Sequence, residues 1–196
     1  MSGGCDRRSG ADGQGGGNAT TAANEAALPT DGEVAPGPGG ASREAFSPKI
    51  DRSHAGTDAP DFIFGDAKGK DVSLARFKGK PVLVNLWATW CGPCVAEMPM
   101  LDKVAADYAG KGLAVLIVSQ DTGEPALVDA FLAKRSLPHL SAYRDPENQL
   151  GFHYATGLLP TTVLYDRDGK EVARVAGAMD WSGEEGRAMI EDLLAS

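Results

Sequence analysis

Trp90-Cys91-Gly92-Pro93-Cys94 stands between an apolar run, Pro81 to Trp87, and a helix-like segment that carries Pro99. A strand that ends into a helix puts Cys91 at the helix N-terminus, where unpaired backbone N–H groups and the macrodipole favour a thiolate. Cys94 lies one turn further on, close enough to close a short disulfide and to resolve a mixed disulfide formed by Cys91. A CxxC pair is also half of a zinc site, but four-ligand sites need further Cys or His. The chain offers only Cys5, His54, His139 and His153 besides. The pair therefore reads as dithiol chemistry: no metal is expected, and no cofactor beyond the Cys91–Cys94 disulfide itself.

Working outward, 196 residues with 42% hydrophobic content suffice for one ordinary core. A formal net charge of -8 argues against nucleic acid and anionic membrane surfaces as partners. Three cysteines cannot form a disulfide framework, so the core must hold the fold.

Residues 1–56 differ from the rest. GGC, GQGGGN, ATTAANEAA and VAPGPGGAS contain few large apolar side chains, too few to offset the entropy of ordering. This part reads as a disordered leader or tether, extended around Pro36 and Pro38, and residues 57–196 as the folded domain. The given start has no apolar stretch of export-signal length, and no stretch of the chain is long and apolar enough to span a membrane; taken literally it describes a cytoplasmic protein. Ser2-Gly3-Gly4-Cys5, however, looks like the end of a bacterial lipoprotein signal, with Cys5 as the lipidated residue and the leader as the tether. Against this, Ser2 stands where that motif usually has Leu. Cys5 is either a lipid anchor or an incidental cysteine in a leader.

From Ala59 the pattern sharpens. Ala59 to Phe64 reads as a short strand, Gly65 to Lys70 as a turn and Val72 to Leu74 as the return strand. A buried strand (Val82 to Trp87), the cysteine-bearing helix (Gly92 to Tyr108) and a two-sided central strand (Ala114 to Ser119) follow. A helix from Glu124 to Lys134 carries Leu127, Phe131 and Leu132 on one stripe. Next come a strand at Ser141 to Tyr143, a helix from Pro146 to Tyr154, and a hairpin of Thr161 to Tyr165 with Glu171 to Val175 around Asp166-Arg167-Asp168-Gly169. Ser182 caps the last helix, with Glu184 and Glu185 in its first turn. The order describes an α/β fold with a mixed central sheet flanked by helices.

With WCGPC, Pro99 and Leu159-Pro160-Thr161 opening a late strand, residues 57–196 resemble a thioredoxin-like fold. Within it the chain is similar to TlpA/ResA-type bacterial thiol-disulfide oxidoreductases, and its closing Ala176-Gly177-Ala178-Met179-Asp180-Trp181 favours the TlpA branch. The leader hairpin at Ala59-Pro60-Asp61-Phe62, the phrase Val84 to Cys91, Glu97-Met98-Pro99 and the extra strand-helix element between Ser119 and Ala155 carry the resemblance. It implies a cis bond before Pro160, beside the cysteines, with Leu159 offering backbone pairing to an extended substrate.

In the reducing direction Cys91 attacks a substrate disulfide and Cys94 resolves the mixed disulfide. Cys94 must lose a proton while less accessible than Cys91. Many thioredoxins carry a buried Asp where this chain has Asn85, which cannot titrate, so Glu97, three residues after Cys94, is the remaining candidate acceptor; the family carries a functional acid there. Trp87 reads as core, Trp90 as a shield of the disulfide that shapes the docking surface, and Trp181 as a core or edge aromatic. Gly92-Pro93 is the thioredoxin pair, at about -270 mV against about -120 mV for DsbA, which favours a reductase. Trp90, Gly92, Pro93, Leu159 and Pro160 are the expected substrate-contacting residues.

The resemblance implies a periplasmic protein, anchored through its N-terminus or free, with a membrane thiol-disulfide transporter as electron donor. Its substrates would be disulfides of proteins such as copper chaperones or the oxidase copper subunit. Apocytochrome c is the alternative substrate, although that branch typically follows its cis-proline with Glu-Thr and this chain has Thr161-Thr162. A peroxiredoxin would place Thr at Ala88. A Sco-type copper-binding chaperone would separate its cysteines by three residues.

Overall fold

A computed structural model describes residues 47–196. Cys5 and the leader up to residue 46 lie outside them. Eight strands form one mixed sheet in the order β1-β8-β7-β4-β5-β6-β2-β3. The strands are β1 (Lys49–Asp51), β2 (Phe64–Gly65), β3 (Asp71–Val72), β4 (Val82–Trp87), β5 (Ala114–Ser119), β6 (Ser141–Arg144), β7 (Thr161–Tyr165) and β8 (Glu171–Ala176). The helices are α1 (Gly92–Tyr108), α2 (Pro125–Ala133), α3 (Gln149–Tyr154) and α4 (Glu184–Ala195). β4, β5 and β6 run parallel, and β7 returns antiparallel against β4. The ends of β4, β5 and β6 therefore share one edge of the sheet with the start of β7. The cysteines stand on that edge.

Strand alternation divides the core. Leu83, Trp87, Ile117, Leu164 and Val175 face α1, α2 and α4, where they meet Met98, Leu101, Val128, Ile190 and Leu193. Val82, Val84, Leu86, Val118 and Val163 face the other way, toward Phe64, Val72, Leu150 and Tyr154 of the hairpin and α3. β4 is buried along its whole length, as a strand covered on both faces must be. This is the expected thioredoxin-like fold, with the N-terminal hairpin and the inserted strand-helix element β6–α3 in place.

Five local expectations are corrected. The leader was expected to run to residue 56, but residues 49–51 form an edge strand in which Ile50 pairs with Val175. The hairpin is shorter than expected: Pro60 has no N–H to give a ladder, the Ala59 N–H goes to Gly169 O, and Leu74 belongs to a 3-10 helix. On α2 Leu127 is exposed, and the inward stripe is Val128, Phe131 and Leu132, the i, i+3, i+4 set. α3 begins at Gln149 rather than Pro146: Asn148 is left-handed, at φ 54°, and the Asp145 carboxylate accepts from the N–H groups of Gln149 and Leu150. Finally, Gly183 and not Ser182 caps α4, because the Ser182 and Gly183 N–H groups are drawn back onto Asp180.

Candidate active site

α1 begins where β4 and a short turn deliver Cys91. Cys91 is the N-cap: its Sγ accepts the N–H of Cys94 at 3.3 Å, and Pro93 occupies the first turn, where a missing N–H costs nothing. The two sulfurs are joined, with the Cα atoms 5.3 Å apart. They differ in access. Cys91 keeps a 6% exposed edge, whereas Cys94 is sealed at 0%. A thiolate at Cys91 would receive the same N–H and the positive end of a 17-residue helix, both of which favour the charged form.

The turn before Cys91 is pinned from β5. Asp121 accepts from the Thr89 N–H at 3.0 Å, from the Thr89 hydroxyl at 2.7 Å and from the Ser119 hydroxyl at 2.7 Å. Asp121 was not among the expected site residues. The signal for it was present: it lies just past the end of a parallel strand next to the cysteine strand, where loops build sites.

Glu97 is on the inward stripe of α1 with Cys94, Met98 and Leu101, one turn from Cys94. It is fully buried. Its Oε1 accepts from Asn85 Nδ2 at 2.6 Å and its Oε2 from the Met179 N–H at 3.2 Å. Burial pushes its pKa up to about 7, against the opposing pull of the Met179 N–H, Asn85 and Trp181. The indole Nε1 of Trp181 lies close enough to favour the charged carboxylate but makes no well-formed hydrogen bond. Asn85 reaches Glu97 because β4 alternation places it between Leu83 and Trp87 on the α1 face. Thr162, opposite it in the β4–β7 register, accepts its second N–H at 3.0 Å. Thr162 and Met179 also escaped sequence reasoning, since only strand register brings them here.

The rim is apolar. Trp90 is 73% exposed, directly before Cys91 in the chain, and Gly92 and Pro93 are exposed beside it. Trp87 and Trp181 are both core. The Leu159–Pro160 bond is cis. Pro160 is buried and its carbonyl is engaged by Gly177, while among the described residues neither backbone polar group of Leu159 has a partner. Leu158, one position earlier, is exposed. The structure thus brings Trp90, Cys91, Gly92, Pro93, Cys94, Glu97, Leu159 and Pro160 to one end of the sheet. Among the described residues no three His, Cys, Asp or Glu side chains cluster as metal ligands.

Comparison with known proteins agrees with this geometry. The profile of the Redoxin family matches residues 54–190. The thiol-disulfide oxidoreductase ResA of Bacillus cereus (strain ZK / E33L) is 34% identical over 134 residues, covering 68% of this chain and 76% of that one. A crystal structure from Chlorobium tepidum, of a protein assigned as thiol:disulfide interchange protein DsbE, superposes with a TM-score of 0.65 at 31% identity, over 71% of this chain and 97% of that one. The exposed lipoprotein thioredoxin of Streptococcus pneumoniae gives 0.59 at 28% identity, over 70% and 100%. The chain belongs to the Redoxin family and is a thiol-disulfide oxidoreductase.

Proposed function

We propose that this Redoxin-family oxidoreductase runs in the reducing direction on protein disulfides outside the cytoplasm, with Cys91 as nucleophile, Cys94 as resolving thiol and Glu97 as the base for Cys94. The observation that carries the reading is the asymmetry of the two sulfurs. One is a helix N-cap with an exposed edge and an N–H aimed at it, and the other is sealed in the core one turn from a buried carboxyl.

The steps balance as follows. Cys91 thiolate attacks one sulfur of a substrate disulfide, forming a mixed disulfide and releasing a substrate thiolate. Glu97 takes the proton of Cys94, whose thiolate then attacks the Cys91 sulfur and releases the second substrate thiolate. Two electrons pass to the substrate and the enzyme is left as the Cys91–Cys94 disulfide. A membrane thiol-disulfide transporter would return the electrons. Trp90, Gly92 and Pro93 form the contact rim, and Leu159 supplies free backbone groups beside Pro160 for an extended substrate segment.

The substrates proposed are cysteine pairs of copper-site proteins, such as a copper chaperone or the oxidase copper subunit. Thr161 supports this over apocytochrome c. At the position where the cytochrome branch carries an acid, this chain buries a hydroxyl that donates to Leu158 O at 2.8 Å. The location draws on the relative named as an exposed lipoprotein, with Cys5 as the tether. Among the described residues no helix is long and apolar enough to cross a membrane.

Cys94→Ala tests the assignment. That variant should hold its substrate as a mixed disulfide through Cys91, and mass spectrometry of the captured species names it. Capture only through Cys94, in the Cys91→Ala variant, would overturn the roles.

A further inference from the structure

We propose that Asn85 is the positioning residue for the proton of Glu97: its amide donates to the ionised carboxylate and, rotated by half a turn, accepts from the protonated one. The inference rests on the reading of Glu97 as the base for Cys94.

Asn85 is a fully buried polar side chain in a strand whose other residues are apolar. Both N–H bonds of its amide are used, one on Glu97 Oε1 and one on Thr162 Oγ1. Its Oδ1 is buried without a partner. An unpaired buried acceptor is costly, and turning the amide by half a turn moves this oxygen onto Glu97 and Thr162 and the NH2 group into the place the oxygen leaves. When Cys94 gives up its proton, the S–H bond breaks and an O–H forms on Glu97. That O–H then needs an acceptor, where the carboxylate needed a donor. An asparagine can present either end, and the Thr162 hydroxyl can switch from acceptor to donor to match.

Among the described residues Asn85 is the one side chain with a well-formed hydrogen bond to the Glu97 carboxyl. β7 presents Thr162, the β8–α4 connection presents the Met179 N–H and the Trp181 indole, α1 itself presents Cys94, and no charged side chain contributes to the shift at Glu97. The Met179 N–H can only donate. An aspartate at position 85 would place two carboxylates on one site and drive one of them to stay protonated. A leucine would leave the carboxylate with the Met179 N–H and the weakly placed indole.

The test is a pH titration of the full chain in the disulfide form, with 13C-labelled glutamate side chains and 15N-labelled asparagine followed by NMR. Asn85→Leu should raise the Glu97 midpoint by about one pH unit or less, because the bond lost to the carboxylate is stronger than the bond lost to the protonated acid. Thr162→Val should raise it by less, and Thr162→Ser should restore the wild-type midpoint. In the wild type the Asn85 amide signals should move with the Glu97 midpoint. An unchanged midpoint in both Asn85→Leu and Thr162→Val, or an Asn85 amide that ignores the titration, overturns the inference. If Asn85→Leu fails to fold, Thr162→Val, which keeps a β-branched residue in β7, decides it. Failure of the underlying reading looks different: Glu97→Gln would then keep the wild-type pH dependence of disulfide reduction, whatever the carboxyl titration does.

Discussion

Arg174 donates through Nη1 to the carbonyl oxygen of Tyr154 at 2.9 Å, tying the last residue of the inserted helix α3 to the final strand. The guanidinium is itself held by Glu171, three residues earlier on β8, through two bonds in a buried pair. The link matters to the site because α3 leads into Leu158, Leu159 and Pro160. Arg174→Met leaves the Glu171 carboxylate buried and uncompensated, and should cost about 3–5 kcal/mol in urea unfolding. Arg174→Met with Glu171→Leu should recover most of that, since the charge is then gone from both sides.

Gly186 is required for a different reason. A Cβ there would stand 2.5 Å from Asp180 O and 2.7 Å from Trp181 Cα, so backbone, not a flexible side chain, blocks it. Alanine would gain about 1 kcal/mol of helix propensity, but overpacking costs about 1–3 kcal/mol. Gly186→Ala should therefore lower the thermal midpoint, and it should shift the near-UV signal of Trp181, which packs beside Glu97.

The raised pKa of Glu97 predicts a stability slope. Its folded value of about 7 lies above the ordinary 4.5, so between these pH values the folded chain holds a proton that the unfolded chain has released. Stability of the disulfide form should fall as pH rises through that window and level off above it, by on the order of 3 kcal/mol from this group. Glu97→Gln should flatten that part of the curve in denaturant titrations from pH 4 to 8. An equal slope in the variant would place its origin elsewhere.

Kinetics should report the same group. As a base Glu97 acts only when ionised, so resolution of the mixed disulfide should accelerate as pH rises through about 7. Glu97→Gln should slow resolution by roughly 10²-fold and remove that inflection, measured by stopped-flow tryptophan fluorescence on a peptide disulfide. Formation of the mixed disulfide by Cys91 should be nearly unaffected.

Much of this was legible in the chain. The bounds of β4, α1, β5 and β7 follow from hydrophobic runs and from WCGPC, because local pattern and tertiary demand agree there. Two of the misreadings are helix ends set by single contacts: Asp145 takes the cap that moves α3 to Gln149, and Asp180 displaces Ser182 from α4. β1 could not be read at all, since Lys49 to Asp51 become a strand only through pairing with β8. Of the site, Cys91, Cys94 and Glu97 are adjacent on one helix and visible in sequence. Asn85 appeared only as a residue that cannot titrate. Its bonds to Glu97 and Thr162 come from the alternation of β4 and the β4–β7 register, and Asp121 reaches Thr89 through parallel pairing of β4 with β5.

The central claim is that the backbone around the start of α1 makes Cys91 the thiolate. Alkylation of the reduced protein as a function of pH, with each cysteine quantified by mass spectrometry, tests it most directly. Cys91 should react with an apparent pKa clearly below the ordinary thiol value of about 8.5, and Cys94 should react far more slowly at every pH. Two cysteines that react alike, with Cys91 titrating near that ordinary value, would contradict the account.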